Sequence, residues 1–198
     1  MIENNDFFKN LSFKDFKPKK GSLLISEPFL SDQYFGRSVI FISDYDNDGT
    51  LGFVINKATQ NVVSDLIFDL PDCKFPVFVG GPVNPDNLYF LHTKGKYVDG
   101  SVEVSNGIYF GGDFNQIVTF INKNLILKHD IRFFIGYSGW SKGQLEEEIA
   151  KEAWAVFDGT TKEMVMKPSL GNKFWMNLLK SMGKYSVMAN FPQNPGMN

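Results

Sequence analysis

Val102-Glu103-Val104-Ser105-Asn106-Gly107-Ile108-Tyr109-Phe110 is the stretch that decides the fold class. Asn106-Gly107 supplies the two positive-φ residues of a type I′ turn, and the short apolar runs on either side read as antiparallel strands. Upstream, short apolar runs bounded by turn residues repeat the signal at Ser22 to Ser26, Arg37 to Ser43, Leu51 to Ile55, Pro76 to Val79 and Leu88 to His92. The loop Asp44 to Thr50 joins two of these runs as a hairpin. Between Gln60 and Leu70 the apolar residues Val62, Val63, Leu66, Ile67 and Leu70 take a helical spacing that Pro71 stops.

Downstream, Asp113 with Gln116 forms a capping-box pattern ahead of Ile117, Phe120 and Ile121, which predicts a helix to about Lys123. Ile131 to Tyr137 reads as a buried strand. Ser141 with Gln144 repeats the cap signal before a stripe of Leu145, Ile149 and Ala153. Trp154 to Phe157 reads as a strand, and Asn172 to Met182 as a last helix closed by Gly183. Strands outnumber helices and several adjoin through hairpins, so the expected class is α+β with a mixed, largely antiparallel sheet and packed helices. The expected organisation is an amphipathic segment over 1–20, one domain over 21–187 and a tail over 188–198.

Composition bounds the function. With 43% hydrophobic and 21% charged residues, the chain of 198 residues is globular and long enough to need neither disulfide nor metal as a staple. Its 20 Phe are spread along the chain, as expected of core filling. A formal charge of −2 provides no general field for phosphate backbones, so direct nucleic-acid binding is not supported. The lysines Lys9, Lys14, Lys17, Lys19 and Lys20 interleave with acids and with Phe7, Phe8, Leu11, Phe13 and Phe16, which reads as a docking or fraying segment. No apolar run reaches membrane-spanning length, no signal-peptide layout is present and Cys73 is single, so a cytoplasmic protein is expected, without membrane association.

Several motifs invite chemical readings. Asp44, Asp46, Asp48 and Gly49 match the opening of a calcium-binding loop, but position twelve is Ile55 instead of the bidentate Glu, so a solvated hairpin tip is expected. Gly136-Tyr137-Ser138-Gly139-Trp140 lies between a strand and a helix, as a nucleophile elbow does, but the Gly required two residues after the Ser is replaced by Trp140. His92, His129 and Cys73 have no ligand spacing, so no metal is expected, and no cofactor. A redox role for Cys73 would need a depressed thiol pKa. Only Arg37 and Arg132 among 20 basic residues are Arg, and each planar fork suits either an oxyanion or an internal ion pair to a strand-end acid. Gly80-Gly81-Pro82 could present N–H groups to an anion, although a tight turn explains the glycines equally.

In chain order, the motifs Gly21-Ser22-Leu23-Leu24-Ile25-Ser26-Glu27-Pro28, Phe35-Gly36-Arg37-Ser38-Val39, Leu51-Gly52-Phe53-Val54-Ile55-Asn56, Gly80-Gly81-Pro82-Val83, Leu91-His92 and Gly136-Tyr137-Ser138-Gly139-Trp140 with Gly143-Gln144-Leu145-Glu146 resemble the bacterial YqgE/AlgH family over about residues 21–160. The resemblance implies an α+β fold whose bifurcated sheet curls into a pseudo-barrel. Members of that family carry a transcriptional-regulator label, yet no helix-turn-helix, basic recognition helix or zinc finger is present here. Ser138 and Lys57 stand where the family commonly has Ala and Arg.

Two functional readings follow. The first is a non-enzymatic regulatory or binding protein whose motif loops hold an unidentified protein segment or small molecule, with Arg37, Gly80, Gly81, His92, Tyr137, Gly139, Trp140 and Gln144 as candidate site residues. The second is an enzyme acting on an anionic small molecule, with Arg37 as anion clamp and His92 as acid or base. Convergence of Arg37, His92 and the 136–140 segment in one pocket would favour the second.

Overall fold

A computed structural model describes residues 17–30, 32–167 and 171–191. Its strands are β1 (Leu23–Ser26), β2 (Val39–Tyr45), β3 (Gly49–Val54), β4 (Ala58–Val62), β5 (Pro76–Val79), β6 (Val83–His92), β7 (Val102–Ser105), β8 (Ile108–Phe110), β9 (Ile131–Ser141) and β10 (Trp154–Phe157). The α-helices are α1 (Phe114–Asn122), α2 (Gln144–Ala150), α3 (Lys162–Met166) and α4 (Asn172–Ser181). The sheet runs β10-β1-β2-β3-β9-β6-β8-β7, and β4 and β5 branch from β9. Every pairing is antiparallel except β5 with β9. The sheet is therefore mixed, largely antiparallel and forked at β9.

The fork is visible in the register. The first half of β9 carries β5 on one edge, through Val77↔Phe133 to Val79↔Ile135, and β6 on the other, from His92↔Ile131 to Val83↔Tyr137. Its second half pairs with β3, from Gly52↔Ser138 to Gly49↔Ser141. Because β5 and β6 flank β9 on opposite edges, their connection Gly80-Gly81-Pro82 has to cross that strand. A Cβ on Gly80 would lie 2.1 Å from the Gly136 carbonyl oxygen, and one on Gly81 would lie 2.4 Å from Tyr137 main-chain atoms. Only glycine permits two backbones to approach so closely.

One face of the strands wraps a single core. Leu23, Phe41, Phe53, Phe78, Leu91, Ile108, Phe134 and Ala155, from eight strands, belong to it, and Phe174, Trp175, Leu178 and Leu179 of α4 close it. The edges approach without pairing, since Gly21 abuts Ser105 and Asn106 Nδ2 donates to the Thr160 carbonyl at 3.0 Å. This is the curled pseudo-barrel. On the outer faces α1 covers Val77, Phe90 and Phe133, and α2 covers Ile40, Val54, Trp140 and Trp154.

Local signals fared unevenly. The Asn106-Gly107 turn forms, with φ of 52° and 73°. Asp113 caps α1, accepting from the Asn115 and Gln116 amides. The helix expected over Gln60 to Leu70 does not form; β4 and a single 3-10 turn over Val63–Asp65 replace it. There the Val63 and Ser64 amides donate across to Phe75 and Cys73 carbonyls, and Leu66 of the expected stripe is 42% exposed, so the apolar spacing describes no buried helical face. The segment 136–140, read from sequence as lying between a strand and a helix, is instead the continuation of β9, and Gly143 at φ 79° takes the N-cap position of α2 in place of Ser141. Helix α3, capped by Thr161, had no sequence signal that we recognised. Residues 1–16 of the expected amphipathic segment and 192–198 of the tail lie outside the described residues, whereas Met188 and Ala189, expected in the tail, are buried in the core. Among the described residues no helix is long and apolar enough to cross a membrane.

Candidate functional site

The β2–β3 hairpin tip and the second half of β9 enclose a groove of about 430 Å³. Leu51, Val83, Tyr137 and Gly139 line its base, and Asp44, Asp46 and Asp48 line its rim. The cross-strand order Asp44↔Leu51↔Gly139 places these three on one face of the sheet. The tip is built by its own acids, since Asp46 Oδ1 accepts from the Asp48 amide at 2.8 Å and the Gly49 amide at 3.1 Å. Lys20 Nζ lies 3.9 Å from Asp44 Oδ1. Strands, not helices, flank the loop, and among the described residues no group of three His, Cys, Asp or Glu has metal-binding geometry.

β9 also offers an unpaired edge here. From Ser138 onward its only strand partner among the described residues is β3. The Ser141 amide donates to Gln144 Oε1 at 3.0 Å, so it points away from β3. Gly139 has the same parity, and its N–H and C=O therefore face that free edge. Gly139 is exposed, and a Cβ there would approach the Tyr137 ring at 3.0 Å.

The predicted site residues divide into separate places. Tyr137, Gly139 and Trp140 border the groove. Tyr137 meets Tyr89 edge-on with centroids 5.6 Å apart. Trp140 contributes to the wall while its indole is buried beneath α2, edge-on to Trp154 and stacked with Phe35. Its Nε1 donates to Glu148 Oε2 at 2.8 Å, as Trp154 Nε1 does at 2.7 Å, and Gln144 Nε2 donates to the other oxygen at 2.9 Å. Gln144 thus anchors β9 to α2. Glu148, which satisfies two indoles at once, was missed from sequence; its position four residues after Gln144 on one helix face is the signal that could have found it.

Gly80 and Gly81 form the crossing, and the Gly80 carbonyl accepts from the Val54 amide and Ser138 Oγ. Ser138 is fully buried by that bond and does not act as an elbow nucleophile would. Arg37, at φ 52°, is buried, donates to the Phe191 carbonyl and lies 5.0 Å over the Trp175 ring. His92 is fully buried: Nε2 bonds the Gly111 carbonyl at 3.0 Å and Nδ1 accepts from the Lys94 amide at 3.2 Å. These two bonds select the neutral Nε2–H tautomer, and burial pulls the imidazole below its ordinary range. Arg37 and His92 share no partner and neither borders the groove. Cys73 is buried, and burial pushes its thiol up, away from the reactive thiolate.

The comparisons with known proteins agree with this architecture. A UPF0301 protein of Parabacteroides distasonis is 34% identical over 201 residues, covering 100% of both chains, and one of Cytophaga hutchinsonii is 36% identical over 181 residues, covering 90% of this chain and 98% of the relative. Among solved structures, the AlgH protein of Pseudomonas aeruginosa matches with a TM-score of 0.69 at 21% identity, over 90% of this chain and 98% of that one. A Corynebacterium diphtheriae protein, DIP2367, matches at 0.70 and 20% identity, over 89% and 94%. The model of the AlgH-like family, a domain of unknown function, matches residues 23–186, and the chain belongs to that family.

Proposed function

We propose that this protein is a non-enzymatic binding protein that holds an extended, basic segment of a partner protein along the free edge of β9. The observation that carries the reading is the union of an edge at Gly139 that no described strand pairs with and three exposed aspartates on the same groove. An extended peptide can add its own ladder to such an edge, with main-chain bonds giving affinity and alternate side chains meeting the groove. Lys or Arg at some of those alternate positions would face Asp44, Asp46 and Asp48, and apolar residues at others would lie on Leu51 and Val83, which share that face of the sheet. Regulation of transcription, in this reading, acts through a protein partner and not through bases. The dispersal of Arg37 and His92 withdraws support from catalysis on an anionic substrate.

Selection of a displayed random decapeptide library against the folded protein tests this. Enriched sequences should carry Lys or Arg and apolar residues at every second position, the positions that share one strand face, and should lose binding to the Asp44→Asn, Asp46→Asn, Asp48→Asn variant. Enrichment of acidic or purely apolar sequences, or binding indifferent to the three substitutions, would refute it.

A further inference from the structure

At the opposite end of β9, Arg132 is a buried cation held by main-chain carbonyls and aromatic rings. It is 3% exposed, yet among the described residues no carboxylate pairs with it. Its guanidinium lies 3.9 Å over the Phe78 ring, and Nη1 and Nη2 donate to the Val165 and Ile55 carbonyls at 2.6 and 2.7 Å. These bonds use two of the five N–H groups that an arginine carries. Buried charges in proteins are ordinarily paired, because removing an ion from water costs several kcal/mol that carbonyl dipoles only partly offset. Desolvation accordingly draws this guanidinium down to about 9.

Arg132 borders a second cavity, of about 360 Å³. Lys128, His129 and Lys167, all exposed, stand around it, while Pro76, Phe78 and Met166 supply apolar walls. Among the described residues no acid lines this cavity; the nearby Asp130 and Glu163 border a smaller adjoining one, and Asp130 is held by Lys94 at 3.0 Å and lies 3.8 Å from His129. In a chain of net charge −2, three Lys and Arg side chains and a histidine thus border one cavity whose lining, among the described residues, contains no acid.

We infer that this cavity is a binding site for a small organic oxyanion, a phosphate monoester or carboxylate joined to an apolar body. The oxyanion would sit between Arg132 and the two lysines, where a planar fork and flexible ammonium groups together suit it. The apolar body would lie against Phe78, Pro76 and Met166. The volume falls within the range of small-molecule sites and is too small for a folded partner. This inference is independent of the groove, which lies at the other end of β9 and has the opposite charge.

Titration with phenyl phosphate, phenylacetate and inorganic phosphate, followed by two-dimensional NMR of the full chain, tests it. Phenyl phosphate or phenylacetate should shift the Arg132 side-chain and Met166 methyl resonances with a dissociation constant below about 1 mM, and bind about tenfold more tightly than inorganic phosphate. The double variant Lys128→Glu, Lys167→Glu changes exposed residues only, so it should keep the fold while weakening binding at least about tenfold. Should Arg132→Met fail to fold, this surface variant still decides. Shifts scattered over surface lysines, equal binding of inorganic and phenyl phosphate, or binding indifferent to the double variant would overturn the inference.

Discussion

The two ends of β9 border cavities of opposite character. At Tyr137 to Ser141 the rim is acidic, the base is strand backbone, and the unpaired edge of Gly139 faces outward. At Ile131 and Arg132 the rim is basic, and the base is a cation enclosed by aromatic rings. Gly139 lies seven positions beyond Arg132 along the strand, which is on the order of 20 Å. The fork makes both ends possible. From Phe133 to Ile135 β9 is flanked by both β5 and β6, and at Ile131 and Arg132 by β6; from Ser138 onward, where β6 no longer pairs with it, the main chain of one edge becomes available. One strand therefore supplies two modes of recognition.

The comparison breaks most completely if the acidic end loses its support. Trp140 fills the layer between β9 and α2 against Phe35 and Trp154, and its loss would also leave Glu148 with one indole donor fewer. Trp140→Ala is expected to cost about 3–5 kcal/mol, as other large core truncations do, read as a lowered denaturant midpoint. An unchanged midpoint would mean that the indole is a recognition surface and not a plug.

Next in size is the crossing that divides the two ends. Gly81 lies at φ 155°, with Tyr137 and Ser138 backbone atoms where a Cβ would go. Gly81→Ala should cost about 2–3 kcal/mol through overpacking and displaced backbone. Thermal unfolding measures it, and stability equal to the parent would show that the connection does not cross β9 as described.

These two substitutions also mark where sequence stopped being legible. The hairpin at Asn106-Gly107 and the Asp113 cap were readable because turn and cap chemistry act within four residues. The crossing was not, since Gly80 and Gly81 explain themselves only against Gly136 and Tyr137, more than fifty positions away. Likewise, Ser138 to Ser141 becomes strand because β3 pairs with it, although the Gly-rich composition suggested a turn. Val62, Val63, Leu66, Ile67 and Leu70 matched a helical period, but the Cys73 to Phe75 carbonyls captured the amides that a helix would have used. As for the site, Tyr137 and Gly139 could be named in advance, whereas the acids that share their groove read only as a solvated tip. For Arg37 and Arg132 the expected internal acid is absent among the described residues, and carbonyls and aromatic rings take its place.

A pH experiment sharpens the contrast between groups kept neutral and groups kept charged. His92 is held as the Nε2–H tautomer, and protonation would place a second proton on Nδ1, against the Lys94 amide. Its folded pKa lies below the unfolded value near 6.5, so the unfolded chain binds the proton first. The stabilisation is full above about pH 6.5 and is lost as pH falls through the lowered folded pKa. His92→Gln should flatten that part of the stability curve. A stability that rises on acidification through this window, owing to His92, would contradict the assigned tautomer.

The smallest effect on stability is expected at the acidic rim, and there it separates structure from recognition. Asp44, Asp46 and Asp48 are exposed, so their charges contribute little to folding, and the bonds that shape the tip need only an acceptor oxygen at residue 46. Asn supplies that oxygen. The triple Asn variant should therefore melt within about 0.5 kcal/mol of the parent while losing basic peptides, and its oxyanion affinity at the far end of β9 should not change. Calcium provides an internal control. With Ile55 where a bidentate Glu would complete a loop site, and Asp46 Oδ1 already bonded to two amides, calorimetry should find no dissociation constant below about 10 μM. Tight calcium binding, or a large loss of stability in the triple variant, would show that the carboxylates serve to hold an ion or the tip itself, and the groove would lose the charge argument on which partner recognition rests.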